Sequence, residues 1–162
     1  MCSSDLTYYI RAFATPTLLT LIQKILNQTD IPFSFRVFLV DVIKGNQLPK
    51  DFIEILKRLV NDPNIEFAIR KSAGEALAIQ KQVIDWCKIY FHLSKLGDDS
   101  SVRLAIELLE DTGYNKANDE LIASLAISHL EMSDHIVGPL WFLQENLPRS
   151  EEHTSELQSP DH

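Results

Sequence analysis

The chain has 162 residues, of which 45% are hydrophobic, 23% charged and 9% aromatic, with five Gly, seven Pro and a formal net charge of -8. This composition excludes a disordered or collagen-like chain and a disulfide scaffold, and no apolar run approaches the roughly 18 residues that a membrane span needs. The acidity argues against a phosphate-backbone footprint, so nucleic acid is disfavoured as a partner, and the length suffices for one continuous core.

In chain order, Tyr8–Ala14 is a short segment that echoes the residues around Arg36. Pro16 and Pro49 stand where helices are expected to begin, because a missing N–H costs little in a first turn. Thr17–Arg36 then aligns with Asp51–Arg70 without a gap, at an offset of 34. Apolar positions match throughout, as in Leu18/Phe52, Leu21/Ile55 and Ile25/Leu59, and Asn27/Asn61, Ile31/Ile65, Phe33/Phe67 and Arg36/Arg70 are identities. A third copy follows: Trp86 stands at the same offset of 34 from Phe52, and Arg103 at an offset of 33 from Arg70. A fourth and weaker copy runs over Leu121–Leu130 and Ile136–Leu147.

Each unit is predicted to contain two helices. In the first, apolar residues recur at helical spacing, as in Phe52, Ile55, Leu56 and Leu59. Asn61–Asn64 is turn chemistry. The second helix is predicted over about Glu66–Ala78, and again over about Ser100–Glu110, where Asp98–Ser101 supplies N-cap candidates. Gly45, Gly97 and Gly113 punctuate connections. No segment has a period of two, so no sheet is expected. A lone helix pair cannot bury its apolar face, so neighbouring pairs must stack. The expected fold is therefore all-α, an α-solenoid of stacked antiparallel helix pairs.

The second helix carries the most specific signal. Asn64–Leu77 (NIEFAIRKSAGEAL) resembles the second-helix pattern of HEAT repeats: a turn Asp or Asn, a hydrophobic-Arg pair, then small and apolar residues ending in Ala-Leu. Asp98–Arg103 (DDSSVR) is similar to its opening, and the resemblance covers most of Thr17–Leu109. It implies repeat arginines at Arg36, Arg70 and Arg103 and turn residues at Asp30, Asn64 and Asp98. The fork of such an arginine can bond turn carbonyls, or the carboxylates of Asp30 or Asp98, between stacked units. Copy one departs from the pattern, with bulky Val37, Phe38 and Leu39 where small residues are usual. The tetratricopeptide repeat shares the period, but its Trp, Leu-Gly and Tyr signature is missing.

No phosphate loop, nucleotide-binding glycine turn, nucleophile elbow or paired Cys-x-x-Cys appears. His92, His129 and His135 share no metal-ligand spacing, and Cys87 and His92 are five apart on a predicted helix. No metal or other cofactor is expected. Trp86, Tyr90 and Phe91 are expected in the core, with a partner-binding aromatic patch as the alternative; Trp141 and Phe142 are expected in the core or against a next repeat that the truncation removed. Asp98–Asp99 reads as a cap, and Glu107, Glu110 and Asp111 as a solvated face.

The two ends differ from the rest. AGATCGGAAGAGCACAC encodes Arg149–Thr154, and its reverse complement, read from a GTG start codon, encodes Met1–Leu6. Residues 1–6 and 149–162 thus resemble translated sequencing adapter. Such scars are set aside from fold reasoning. The expectation is a HEAT-like segment over 7–148, truncated at both ends, with 149–162 disordered. Without the flanks, 23 acidic and 15 basic residues become 18 and 14, and the net charge changes from -8 to -4. Cys87 is then the only cysteine, which fits a reducing, cytoplasmic setting.

The resulting expectation is a non-catalytic scaffold or sensor segment that binds a protein partner through its solenoid surface and self-associates through exposed repeat ends. Residues Ile31–Arg36, Ile65–Leu77 and Gly138–Pro148 are similar to the helical sensor regions of bacterial signalling NTPases of the NACHT or STAND type. That resemblance implies a larger parent protein with an NTPase module. The enzymatic alternative is a HEAT-like lyase or DNA glycosylase, with Glu75 as its candidate acid-base group; a tetratricopeptide-type adaptor is the other.

Overall fold

The computed structural model describes residues 15–132 apart from Asn27, Thr29 and Gly45, together with Trp141 and Glu145. The adapter-like ends, Tyr8–Ala14 and, those two residues excepted, the second half of the fourth copy lie outside the described residues. Among the described residues seven α-helices follow one another: α1 Pro16–Leu26, α2 Phe33–Ile43, α3 Lys50–Asn61, α4 Phe67–Ala78, α5 Trp86–Leu96, α6 Asp99–Thr112 and α7 Asp119–Met132. A single 3-10 turn, Tyr114–Lys116, joins the last two, and there is no strand among the described residues.

Local chemistry explains the boundaries. Pro16 opens α1 and Pro49 immediately precedes α3, where the lost N–H has no intrahelical partner to forgo. The Asp85 carboxylate accepts the Lys88 N–H at 3.1 Å, and the Asp98 carboxylate accepts the Ser101 N–H at 2.9 Å. The Asn118 side chain likewise accepts the Leu121 N–H at 2.8 Å. These are N-cap bonds that satisfy donors the helix itself cannot. Gly97 closes α5 at a φ of 69°, a left-handed conformation in which any Cβ would be strained. The second helix of the third copy extends beyond its predicted Ser100–Glu110 at both ends, because Asp98 caps it one residue earlier and it runs on to Gly113, whose N–H bonds the Leu109 carbonyl and whose φ of 95° ends it.

The helices form two rows. α1 touches α3, α3 touches α5 and α5 touches α7; α2 touches α4 and α4 touches α6. Across the rows, α1 meets α2, α3 meets α4, and α6 meets both α5 and α7. The core between them is continuous and includes Ile22, Val40, Leu56, Leu77, Leu93 and Leu109. Each such side chain contributes about 1.5–3 kcal/mol by leaving water. α4 and α6 approach closely at Gly74, where a Cβ would lie 2.5 Å from Leu108 Cδ2.

The connections are also tied together. Gln80 is buried; its Oε1 accepts the Leu48 N–H at 2.9 Å, and its Nε2 donates to the carbonyls of Asn46 and Ala76. Gln82 Nε2 donates to the Leu48 carbonyl at 3.0 Å. The segments 46–48 and 80–82 are thereby laced side by side, each satisfying backbone groups that the other leaves open.

Burial shows how the helices correspond. In α2 and α4 most buried positions run in step at an offset of 34, exposed Phe35 against buried Ile69 being the main exception, and so do most in α3 and α5, where buried Ile53 answers to exposed Cys87. In α4 and α6 they run in step at an offset of 32. The cause is the turn between the paired helices. Residues 62–66 connect α3 to α4, whereas Gly97 and Asp98 alone connect α5 to α6.

Candidate protein-binding surface

The three arginines singled out by sequence have three different environments. Arg70 is fully buried. Its Nε donates to the Val60 carbonyl at 3.0 Å, its Nη2 to Ser101 Oγ at 2.8 Å, and its Nη1 to Ser100 Oγ at 3.5 Å. It thus reaches from α4 to the end of α3 and to the first turn of α6. Burial pulls its guanidinium below the ordinary arginine value, and the charges of Asp98 and Asp62 oppose that pull. Arg36 is buried too, and its Nη2 donates to Glu66 Oε1 at 2.7 Å, on the residue that precedes α4. Its buried Nε has no partner among the described residues.

Arg103 is a correction. More than half of its side chain is exposed; its Nε donates to Glu107 Oε1 at 2.8 Å, and its guanidinium lies 4.7 Å from the centre of the Phe67 ring. The shorter α5–α6 turn moves the register, so Val102 occupies the place that Arg70 holds in α4, and Arg103 that of Lys71. The sequence alignment of Arg103 with Arg70 falls between the two true offsets.

The turn residues also divide. Asp98 caps α6 and acts on Arg70 through charge, without a direct bond. Asn64 is exposed and donates its N–H and its side-chain amide to Asp62 Oδ1, closing the turn before α4. Asp30 is exposed and is not bonded to any of the three arginines among the described residues.

The row of second helices carries a chain of ion pairs. Lys44, at the end of α2, bonds Glu75 on α4 and lies 3.0 Å from Asp41. Burial pulls its ammonium down, but the bonds to Glu75 and Asp41 outweigh that and raise it above its ordinary value. Lys71 on α4 bonds Glu107 on α6 at 2.5 Å, and Arg103 bonds the other oxygen. Glu107 is therefore half-buried and paired, not part of a solvated face as its sequence context suggested. Glu75, the acid-base candidate, is held by a lysine. Both carboxylates are therefore engaged in ion pairs.

The row of first helices is open instead. A cleft of about 520 Å³ lies between α3 and α5, lined by Lys57, Arg58 and Asn61 on one side and Asp85, Lys88 and His92 on the other. A second, of about 500 Å³, lies between α5 and α7, lined by Cys87, Phe91, Leu121 and Ser124, and shares Asp85 and Lys88 with the first. His92 Nε2 lies 3.3 Å from the Asn61 carbonyl in the first cleft, whereas Cys87 borders the second. No grouping of metal-ligating side chains occurs among the described residues.

The aromatic set separates along the same line. Trp86 and Tyr90 are buried and stacked, with ring centres 5.7 Å apart. The Tyr90 hydroxyl donates to the Leu108 carbonyl at 3.2 Å and also bonds Thr112. Phe91, one residue on, points outward beneath the Lys95 ammonium, 4.6 Å from its ring centre, and Trp141 is exposed as well. The core expectation therefore fails for Phe91, and Trp141 also lies outside the core, as its alternative allowed; Phe142 and His135 lie outside the described residues. The clefts themselves were not expected. Their walls come from three helices, and the only sequence signal was the run of polar residues on the first-helix faces. No described helix is long and apolar enough to cross a membrane. Compared with known proteins, the chain matches no family model, no curated protein and no solved structure.

Proposed function

We infer that this chain is a non-catalytic, protein-binding segment built as an α-solenoid of HEAT-like helix pairs. The single observation behind this reading is the pair of adjoining clefts along α3, α5 and α7, which share Asp85 and Lys88 and have the exposed Phe91 on the wall of the second. A continuous groove of mixed charge with an exposed aromatic suits an extended protein segment better than a small substrate. The two-row contact pattern and the burial that runs in step between successive pairs support the solenoid. The pairing of Glu75 with Lys44 speaks against the lyase or glycosylase reading. The similarity to NACHT or STAND sensor regions makes a trigger-recognising part of a larger NTPase the more specific form of the proposal. Sequencing the source DNA outward tests that form: an in-frame phosphate loop supports it, and further helix pairs alone refute it.

The surface itself is tested by site-specific photocrosslinking from position 91, alongside Phe91→Glu and Lys88→Glu. A partner that crosslinks at 91 and is lost on either substitution, but retained by Lys71→Ala on the other row, supports the reading. A partner retained by both cleft variants overturns it.

A further inference from the structure

Charge is spread unevenly over this acidic chain. Helices α1, α3 and α5 carry Lys24, Lys50, Lys57, Arg58, Lys88 and Lys95 against Asp51 and Glu54, six basic residues to two acidic. Helices α6 and α7 carry Arg103 alone against seven acidic residues, four in α6 and three in α7. The basic excess therefore lies on the row that bears the clefts.

Within the α3–α5 cleft the carboxylates are already engaged. Glu54 accepts from Lys57 at 2.8 Å, Asp62 accepts from Asn64 at 2.9 Å, and Asp85 caps α5 through the Lys88 N–H at 3.1 Å. The bond from Lys57 holds the Glu54 carboxyl below its ordinary value, and the charges of Lys50 and Lys88 add to that against the pull of burial. The Arg58 guanidinium and the Lys88 ammonium, by contrast, make no hydrogen bond or ion pair among the described residues. What this cleft has to spare is cationic donors. The α5–α7 cleft differs: Lys88 is its only basic residue, and Phe91, 53% exposed, and Leu121 give it an apolar wall.

The two clefts lie on opposite sides of α5. Helices packed side by side stand about 8–10 Å apart, and an extended chain advances about 3.3 Å per residue. One helix spacing is thus about three residues of extended chain. We propose that the clefts together read a linear motif in the partner: a carboxylate residue held by Arg58 and Lys88, and an apolar residue set on Phe91, about three positions apart in an extended segment. The inference rests on the protein-binding reading of the preceding subsection. A peptide fits better than a nucleic-acid strand, because Asp85 and Glu120 also border the clefts. They repel phosphates, whereas a peptide offers N–H groups that they can accept.

The test uses the full-length chain as bait for a random-peptide phage library, with Lys88→Glu and Phe91→Glu as parallel baits. The wild type is expected to enrich peptides with Asp or Glu about three positions from Phe, Trp, Leu or Ile. A synthetic peptide of the enriched sequence should bind about tenfold more weakly once its acidic residue is replaced by Gln. Lys88→Glu should enrich Lys or Arg at that position instead, an exchange that a merely destabilised bait would not produce. Enriched peptides that lack an acidic residue, or that keep it on the Lys88→Glu bait, overturn the motif. If those peptides are nonetheless lost on Phe91→Glu, the protein-binding surface stands without the motif. If no peptide is enriched over the Phe91→Glu bait, both fall. Oligothymidylate that binds the wild type more tightly than the enriched peptide, and is lost on Lys88→Glu, overturns the choice of a peptide.

Discussion

Replacing Arg70 with Ala tests the packing logic most directly. The side chain is fully buried and donates to the Val60 carbonyl and to the hydroxyls of Ser100 and Ser101. Removing the fork leaves the Val60 carbonyl and the buried Ser101 hydroxyl without partners, at about 1–3 kcal/mol each. It also removes the packing of the aliphatic stem. Against this, a buried charge no longer has to be desolvated, which returns part of the loss. The net expectation is a destabilisation of about 3 kcal/mol, or roughly 6–12 °C in Tm for a domain of this size. Urea unfolding followed by circular dichroism measures it, and Arg103→Ala is the matched control. Arg103 has the same chemistry at an exposed site, and its loss should cost under about 0.5 kcal/mol. Adding Ser101→Ala to Arg70→Ala should cost less than the sum of the two, since they share one bond. A loss at Arg70 below about 0.5 kcal/mol, or equal losses at Arg70 and Arg103, would refute the reasoning.

Gly74→Ala brings a methyl against Leu108; although Ala favours a helix by about 1 kcal/mol, the variant should be destabilised by a net 1–3 kcal/mol or so. Leu108→Val in the same chain should recover part of that in a thermal melt, and strictly additive losses would place the clash elsewhere. The Asp98 carboxyl is held below its ordinary 3.8: burial raises it, but the bonds from Ser101 and the charge of Arg70 outweigh burial. A depressed carboxyl contributes its stability in full above the unfolded value, and that contribution is lost as pH falls through the folded one. Asp98→Asn retains a cap and loses the charge, so its stability should change less than that of the wild type between about pH 6 and about pH 3; parallel pH profiles would show that Asp98 acts only as a cap.

The helices were legible because their apolar spacing is strong and their boundaries rest on local chemistry. Pro16, Pro49, Asp98 and Gly97 mark starts and stops that depend on no distant partner. Arg70 was legible only in part: its hydrophobic-Arg pair marked the position, but the same pair at Val102–Arg103 leaves its charge in solvent, so the pair alone does not settle burial. What was not legible depended on a turn. Nothing local announces that Gly97–Asp98 takes the place of residues 62–66, and this difference alone moves Arg103 from the core to the surface. The clefts were hidden because each wall comes from a different helix. Phe91 was misplaced because it follows buried Tyr90, and adjacent residues on a helix point about 100° apart.

The arginine position decides what must break before second helices part. Separating α2 from α4 breaks Arg36–Glu66 and Lys44–Glu75, and separating α4 from α6 breaks the Arg70 fork and Lys71–Glu107. In α6 the corresponding place holds Val102, whose side chain has no donor to reach forward. A molecule stretched along this row is therefore held by polar clasps at both junctions between described second helices, α2–α4 and α4–α6, so that α4 acts as a double latch while the cleft between α3 and α5 keeps its shape.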